Sequence, residues 1–237
     1  MTTIPRLPPE LDSVLRHGGF SCGADAYDTK DTGIIHYHND RVLLGMCHGK
    51  GVYRIGLHSP LHPERGLIAV PNPPIEDSGD DEEFTEGIHL HERRILFGQD
   101  GYGVAGLFAV SVKFGIQGKV SARVYTVRDD EWRIYVTVAT QLPDVASVYD
   151  VVMVQGRIFI AGGTPSTVLV LDVMSSSFYT IPLPDGVICG DQNHDVMFGR
   201  AGDDSGVYIA EMKEPLLQLR IWLHKVGTST GWTLVDR

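Results

Sequence analysis

The chain has no surplus of positive charge. It sets 20 Lys and Arg residues against 30 Asp and Glu, a formal net charge of −10. Nucleic-acid backbones are held by clustered basic side chains, so no nucleic-acid partner is expected. Cysteine is scarce too: Cys22, Cys47 and Cys189 are odd in number and far apart. That pattern argues against a disulfide framework and for free thiols in a reducing compartment, cytoplasmic or nuclear. No Asn-x-Ser/Thr sequon occurs, and Met1-Thr2-Thr3-Ile4-Pro5 lacks the apolar centre of a signal peptide. No apolar run approaches the ~20 residues needed to cross a bilayer, so no membrane partner is expected.

What is present is the composition of a folded domain. Hydrophobic residues make up 43% and charged residues 21%, ordinary values that exclude wholesale disorder. The 27 glycines and 13 prolines fall between short apolar runs, where tight turns are needed. Those runs form a three-strand cassette that occurs four times. The third copy is Arg157–Ala161, then Thr167–Asp172, then Ser177–Pro182. The fourth runs Val207–Ala210, Leu219–Leu223 and Gly231–Val235; the second, Leu107–Val112, Ala122–Val127 and Glu131–Val136; the first, Arg41–Leu44, Val52–Ile55 and Gly66–Val70.

Each cassette also has a leading strand joined through a short hairpin. These are Ile34–His38, Arg94–Phe97, Val148–Val154 and His194–Phe198. Four antiparallel strands per unit, with Trp132, Phe178 and Trp232 opening successive outer strands 46 and 54 residues apart, predict the blades of a β-propeller. Near-continuous runs such as Thr167–Leu171 predict central strands buried on both faces. Alternation in the outer strand, Trp132, Ile134 and Val136 against Arg133 and Tyr135, predicts one buried face. The aromatics that open the outer strands are expected to pack between blades.

The fold class is therefore all-β, an array of about four four-stranded antiparallel blades over residues 32–237. Residues 1–31 read as an irregular lead-in, with one short helical stretch at Pro9–Leu15 closed by Gly18 and Gly19. Glu76, Asp77, Asp80, Asp81, Glu82, Glu83 and Glu86 make residues 75–86 an acidic, disordered loop between the first two blades. Four blades can close a ring in principle. A chain that ends directly after the fourth outer strand, with a ragged first blade, points instead to an open arc with exposed edges and marginal solubility.

The sequence resembles the β-propeller region that follows the F-box in a large family of plant F-box proteins. The resemblance rests on Asn39-Asp40-Arg41-Val42-Leu43-Leu44, on Pro60-Leu61-His62-Pro63-Glu64-Arg65-Gly66, on Val124-Tyr125 through Trp132, and on Gly156-Arg157-Ile158-Phe159. It extends over roughly residues 32–237. The resemblance implies recognition of a protein substrate for a ubiquitin ligase, with a Skp1-type adaptor engaged only where an F-box is present. The F-box is not visible here: Leu7-Pro8-Pro9-Glu10-Leu11 is similar to its opening phrase, but Gly18-Gly19-Phe20-Ser21-Cys22-Gly23 stands where a helix should follow.

Candidate sites are few. Gly101-Tyr102-Gly103-Val104-Ala105-Gly106 matches G-x-G-x-x-G, yet pyrophosphate binding needs a helix after it, and Leu107–Phe114 alternates as a strand. Hairpin glycines explain it better. His36, His38, Cys47 and His48, or His89 and His91, form no closed zinc set. Asp191-Gln192-Asn193-His194-Asp195 begins like a calcium loop, but Val196 and Gly202 replace the required glycine and glutamate. Asp191, Asn193, His194 and Asp195 remain candidates for a partner-contact loop. Trp132, Trp222 and Trp232 are expected to pack rather than bind. No cofactor, metal or catalytic residue is assigned. The expectation is a non-catalytic protein-interaction module. The alternatives are a propeller enzyme, hydrolase or lyase, with a central-channel site, or a truncated product without independent function.

Overall fold

Short turns shape the molecule, and their backbone angles show why. Gln155 and Gly156 both take positive φ, 48° and 72°, the pair of left-handed conformations that a two-residue hairpin of right-handed twist demands. Asp129 and Asp130, at 52° and 59°, do the same. The computed structural model describes residues 32–38, 41–48, 52–74, 90–98, 106–142, 150–189, 196–213, 218–228 and 231–236. The lead-in at 1–31 and the acidic segment at 75–86 lie outside these residues.

Among the described residues sixteen strands form four antiparallel four-stranded meanders. The first is β1 (Thr32–His38), β2 (Arg41–His48), β3 (Val52–His58) and β4 (Leu67–Val70). The second is β5 (Leu90–Phe97), β6 (Leu107–Phe114), β7 (Lys119–Arg128) and β8 (Glu131–Gln141). The third is β9 (Asp150–Val154), β10 (Arg157–Thr164), β11 (Thr167–Asp172) and β12 (Ser177–Pro182). The fourth is β13 (Val196–Arg200), β14 (Gly206–Lys213), β15 (Gln218–Lys225) and β16 (Thr233–Asp236). Every cassette read from the sequence corresponds to three of these strands, and every leading strand to one. The architecture is all-β and of the propeller-blade type, with short 3-10 turns such as Pro63–Arg65.

The chain divides into two compact units, one holding the β1–β4 sheet and the other the remaining three sheets. In the first, Leu43, Leu44, Ile55 and Leu57 are buried, and β1 carries a bulge between Ile34 and His36. In the second, the leading strand β9 contacts both β5 and β13. The period-two pattern then sorts side chains into two seams. Val151 and Met153, Ile158 and Ile160, and Leu169 and Leu171 enter a core shared with the second sheet's Val110, Val112 and Val124. Their alternate neighbours Val152 and Val154, Phe159 and Ala161, and Val168 and Val170 enter a core shared with Val196, Phe198, Val207 and Ile209 of the fourth sheet. A strand buried on both faces needs no polar alternation, and this accounts for the apolar run in β11.

Phe178 packs against the first seam and Trp232 against the second, as the aromatic spacing predicts. The outer strand β8 departs from strict alternation. Val136 and Val138 join the first seam, but Ile134, on the same face, is 61% exposed. An edge strand has a bonded neighbour on one side only, and here the covering core reaches only its later residues.

Asp172 ends β11 and organises the turn that follows. Its Oδ1 accepts the N–H groups of Met174 and Ser175, each at 3.1 Å, and its Oδ2 accepts Arg157 Nε–H at 3.0 Å. Burial pushes its carboxyl pKa up, but the Ser175 N–H, the Arg157 charge and the Met174 N–H outweigh burial and hold it below its ordinary value of 3.8. A lowered carboxylate stabilises the fold above its unfolded pKa and loses that contribution as pH falls through the folded value. Asp172→Ala is therefore expected to cost about 1–3 kcal/mol at neutral pH. The gap from the wild type should close in titrations taken below pH 3.8, followed by thermal melting.

Candidate functional site

The seam between the third and fourth sheets opens outward into a cleft. On one side the chain leaves β12 through Pro182-Leu183-Pro184-Asp185. Leu183 N–H donates to Ser166 O at 2.8 Å and Val187 N–H to Pro184 O at 3.0 Å, so this segment is a tight turn with Asp185 exposed at its tip. On the other side Gly231 and Trp232 lead into β16. The Trp232 indole Nε1–H donates to Pro182 O at 2.7 Å, joining the outer ends of the two sheets. Trp222, 8% exposed on β15, and Leu183, 9% exposed, lie at the base, and Leu234 stands at the lip. The open volume is about 360 Å³.

His224 supports this wall from inside. Its ring centroid lies 5.4 Å from Trp232 and 6.5 Å from Phe159. Burial pushes its pKa below the ordinary imidazole value of 6.5, against a hydrogen bond to the Gly231 backbone, and Nδ1 has no hydrogen-bond partner. The neutral ring fits this setting. Because the unfolded chain binds the proton more tightly, stability should rise with pH through the region at and just below 6.5. His224→Phe is expected to remove that slope from a melting-temperature profile taken between pH 5 and 8. Cys189, in the same seam, has its thiol pushed up to about 11 by burial, so it is held as the thiol rather than the nucleophilic thiolate.

At the inner end of the seams the polar groups make structural ties. Arg200, at the end of β13, donates through Nε to Asp204 Oδ1 at 2.5 Å and through Nη1 to Phe97 O, at the end of β5, at 3.4 Å. Gln155 Nε2 donates to Asp204 O at 3.0 Å. At the start of β9, burial pushes the Asp150 pKa up, opposed by its bond to Val151 N–H and by the Arg94 charge. These groups join the three sheets.

A family model described as F-box protein AT5G49610-like, beta-propeller, matches residues 33–237. The chain belongs to this family. A search of curated proteins found no match.

Within this F-box-type propeller, the sequence-predicted loop residues Asp191, Asn193, His194 and Asp195 lie outside the described residues, as do Gly101 to Ala105 and His89. Gly106 runs directly into β6, so the strand expected after G-x-G-x-x-G is present in place of a helix. On β1, His36 is half-buried and His38 buried. Among the described residues no group of three or more His, Cys, Asp or Glu could hold a metal ion. No helix among them is long and apolar enough to cross a membrane.

Trp222 and Trp232 pack, as expected, but both also line the cleft. The sequence signal that could have marked it was the Pro-Leu-Pro-Asp stretch following an outer strand. The sequence also holds Gly19-Phe20-Ser21-Cys22-Gly23, which matches the G-x-S-x-G pattern of hydrolase nucleophile elbows. That pattern needs a strand before it and a helix after it, and these residues lie outside the described part.

Proposed function

We propose that the chain is a non-catalytic module that recognises a protein substrate for a ubiquitin ligase. Membership of the F-box-type propeller family over residues 33–237 carries this reading. The cleft supports it. Aromatic side chains set in a rigid wall, with an exposed acid at the lip, suit recognition of another chain better than bond-breaking. In this reading the propeller holds the target, and contact with a Skp1-type adaptor belongs to an F-box. The compartment is reducing, cytoplasmic or nuclear, in keeping with unpaired, buried Cys189.

The test is reconstitution with purified components. A partner captured by the full chain is purified and titrated against it by calorimetry. A saturable complex, together with partner ubiquitination once the chain is fused to an F-box, is the expected result. A captured protein that shows no saturable binding when pure would overturn the reading. So would ester hydrolysis that Ser21→Ala abolishes, because it would mark the chain as a hydrolase.

A further inference from the structure

We infer that two copies of the chain pair through the open edge of β8, antiparallel about a two-fold axis, so that two four-stranded sheets become one of eight strands. This edge is distinct from the cleft, and the pairing does not depend on substrate recognition. Its first support is the edge itself. β8 is an outermost strand, with β7 as its sole bonded neighbour among the described residues. It is 11 residues long, against 4 in β4, 6 in β12 and 4 in β16. Sheets protect their edges by keeping them short or by placing Pro and charge on them. β12 is short and ends on Pro182, and β16 is short and ends on Asp236. β8 has no such protection from Ile134 to Gln141, where Ile-Tyr-Val-Thr-Val-Ala-Thr-Gln holds no charge, no Pro and no Gly. Uncharged runs rich in β-branched residues are strand-pairing sequences.

The second support is the direction of the backbone. Leu142 N–H donates to Gly118 O at 2.7 Å, where β7 begins and β8 ends. Successive residues of a strand turn their N–H and C=O groups to opposite sides. Val136 and Val138 therefore bond toward β7 as Leu142 does, and all three side chains enter the same seam. Thr137 and Ala139 turn their N–H and C=O groups to the open side, and both residues are exposed. With Thr137 of each copy opposite Ala139 of the other, two hydrogen-bonded pairs form and satisfy these groups.

The third support is charge, which selects both the occupant and its direction. Asp129, Asp130 and Glu131 stand exposed at one end of the strand. A second copy laid parallel would set these acids against themselves, on chains of net charge −10. Laid antiparallel about Val138, the two acidic ends stand about 48 Å apart at ~3.4 Å per residue. That is far beyond the ~8 Å screening length of physiological salt. A charged foreign strand finds no counter-charge between Ile134 and Gln141, whereas a second copy meets its own small, neutral side chains.

The experiment is sedimentation equilibrium of the full-length chain from low to high micromolar concentration. A dimer is the expected species. Thr137→Lys combined with Ala139→Lys sets like charges opposite each other, as does Thr137→Glu combined with Ala139→Glu. Each double variant is expected to weaken the dimer about ten-fold or more. An equimolar mixture of the two should regain it as a heterodimer, because every facing pair is then of opposite sign. Thr137→Pro removes an N–H from the open side and spares the bonds to β7, so it should weaken the dimer about ten-fold as well. Melting temperatures check that each variant folds, and the charged changes, at exposed positions, keep the test decisive should the Pro variant unfold.

A chain that stays monomeric throughout the range overturns the inference. So does a dimer that both charged variants form as tightly as the wild type, since another surface then holds it. A mixture that fails to restore what each charged variant lost defeats the antiparallel pairing of Thr137 with Ala139.

Discussion

Replacing Phe159 by alanine should lower the stability of the chain by about 3–5 kcal/mol. Phe159 is 1% exposed in the middle of β10, with sheets on both flanks of its strand and its ring edge-on to His224. Truncation removes a full aromatic side chain from the second seam and leaves a cavity that cannot collapse, since β9 and β11 hold β10 in register on either side. For a domain of this size each kcal/mol moves the melting temperature by about 2–4 °C, so a fall of roughly 10 °C is expected by calorimetry. Phe159→Leu should recover most of it. Met174→Ala, at a site 79% exposed, should change little. A Phe159→Ala variant melting within about 2 °C of the parent would contradict the packing of this seam.

The second large effect is expected at Gly118, where β7 begins. Its φ is +74°, and a Cβ built there would run into the carbonyl oxygen of Leu142. Leu142 is fixed from the other direction, because its N–H donates to Gly118 O at 2.7 Å. Alanine must therefore take a left-handed conformation and push away a bonded backbone segment at once. The combined cost is about 2–4 kcal/mol. Gly202→Ala is the matching control: nothing lies within 4 Å of its Cβ position, and the change should stay within about 0.5 kcal/mol. Urea unfolding of both variants checks the contrast, and equal midpoints would defeat it.

Why the strands were legible and the cleft was not follows from how far each signal reaches along the chain. A hairpin is written in adjacent residues, as in Gln155-Gly156 between Val154 and Arg157, and its register follows from the turn. Burial on both faces leaves an unbroken apolar run such as Val168 to Leu171. The cleft, by contrast, joins Pro182 to Trp232 across 50 positions. Neither residue signals the other, and Trp222 and Trp232 read simply as strand aromatics. The tie from Arg200 to Phe97 O spans 103 positions and is equally silent in the sequence. Ile134 misled for the opposite reason. Alternation states which face a side chain takes, but not whether a neighbouring sheet extends far enough to cover it.

The bond from Arg200 to Phe97 O has a consequence for how the three-sheet unit comes apart. A stack of repeats that touch only their neighbours behaves as a linear chain of nearest-neighbour terms, and its end unit can peel away alone. Arg200 belongs to the fourth sheet and Phe97 to the second, so this tie skips one member of the stack. Losing the fourth sheet then removes a support from the second as well as from the third. That next-nearest-neighbour coupling favours one cooperative transition over sequential fraying, and it gives an interaction of 3.4 Å a reach greater than its length.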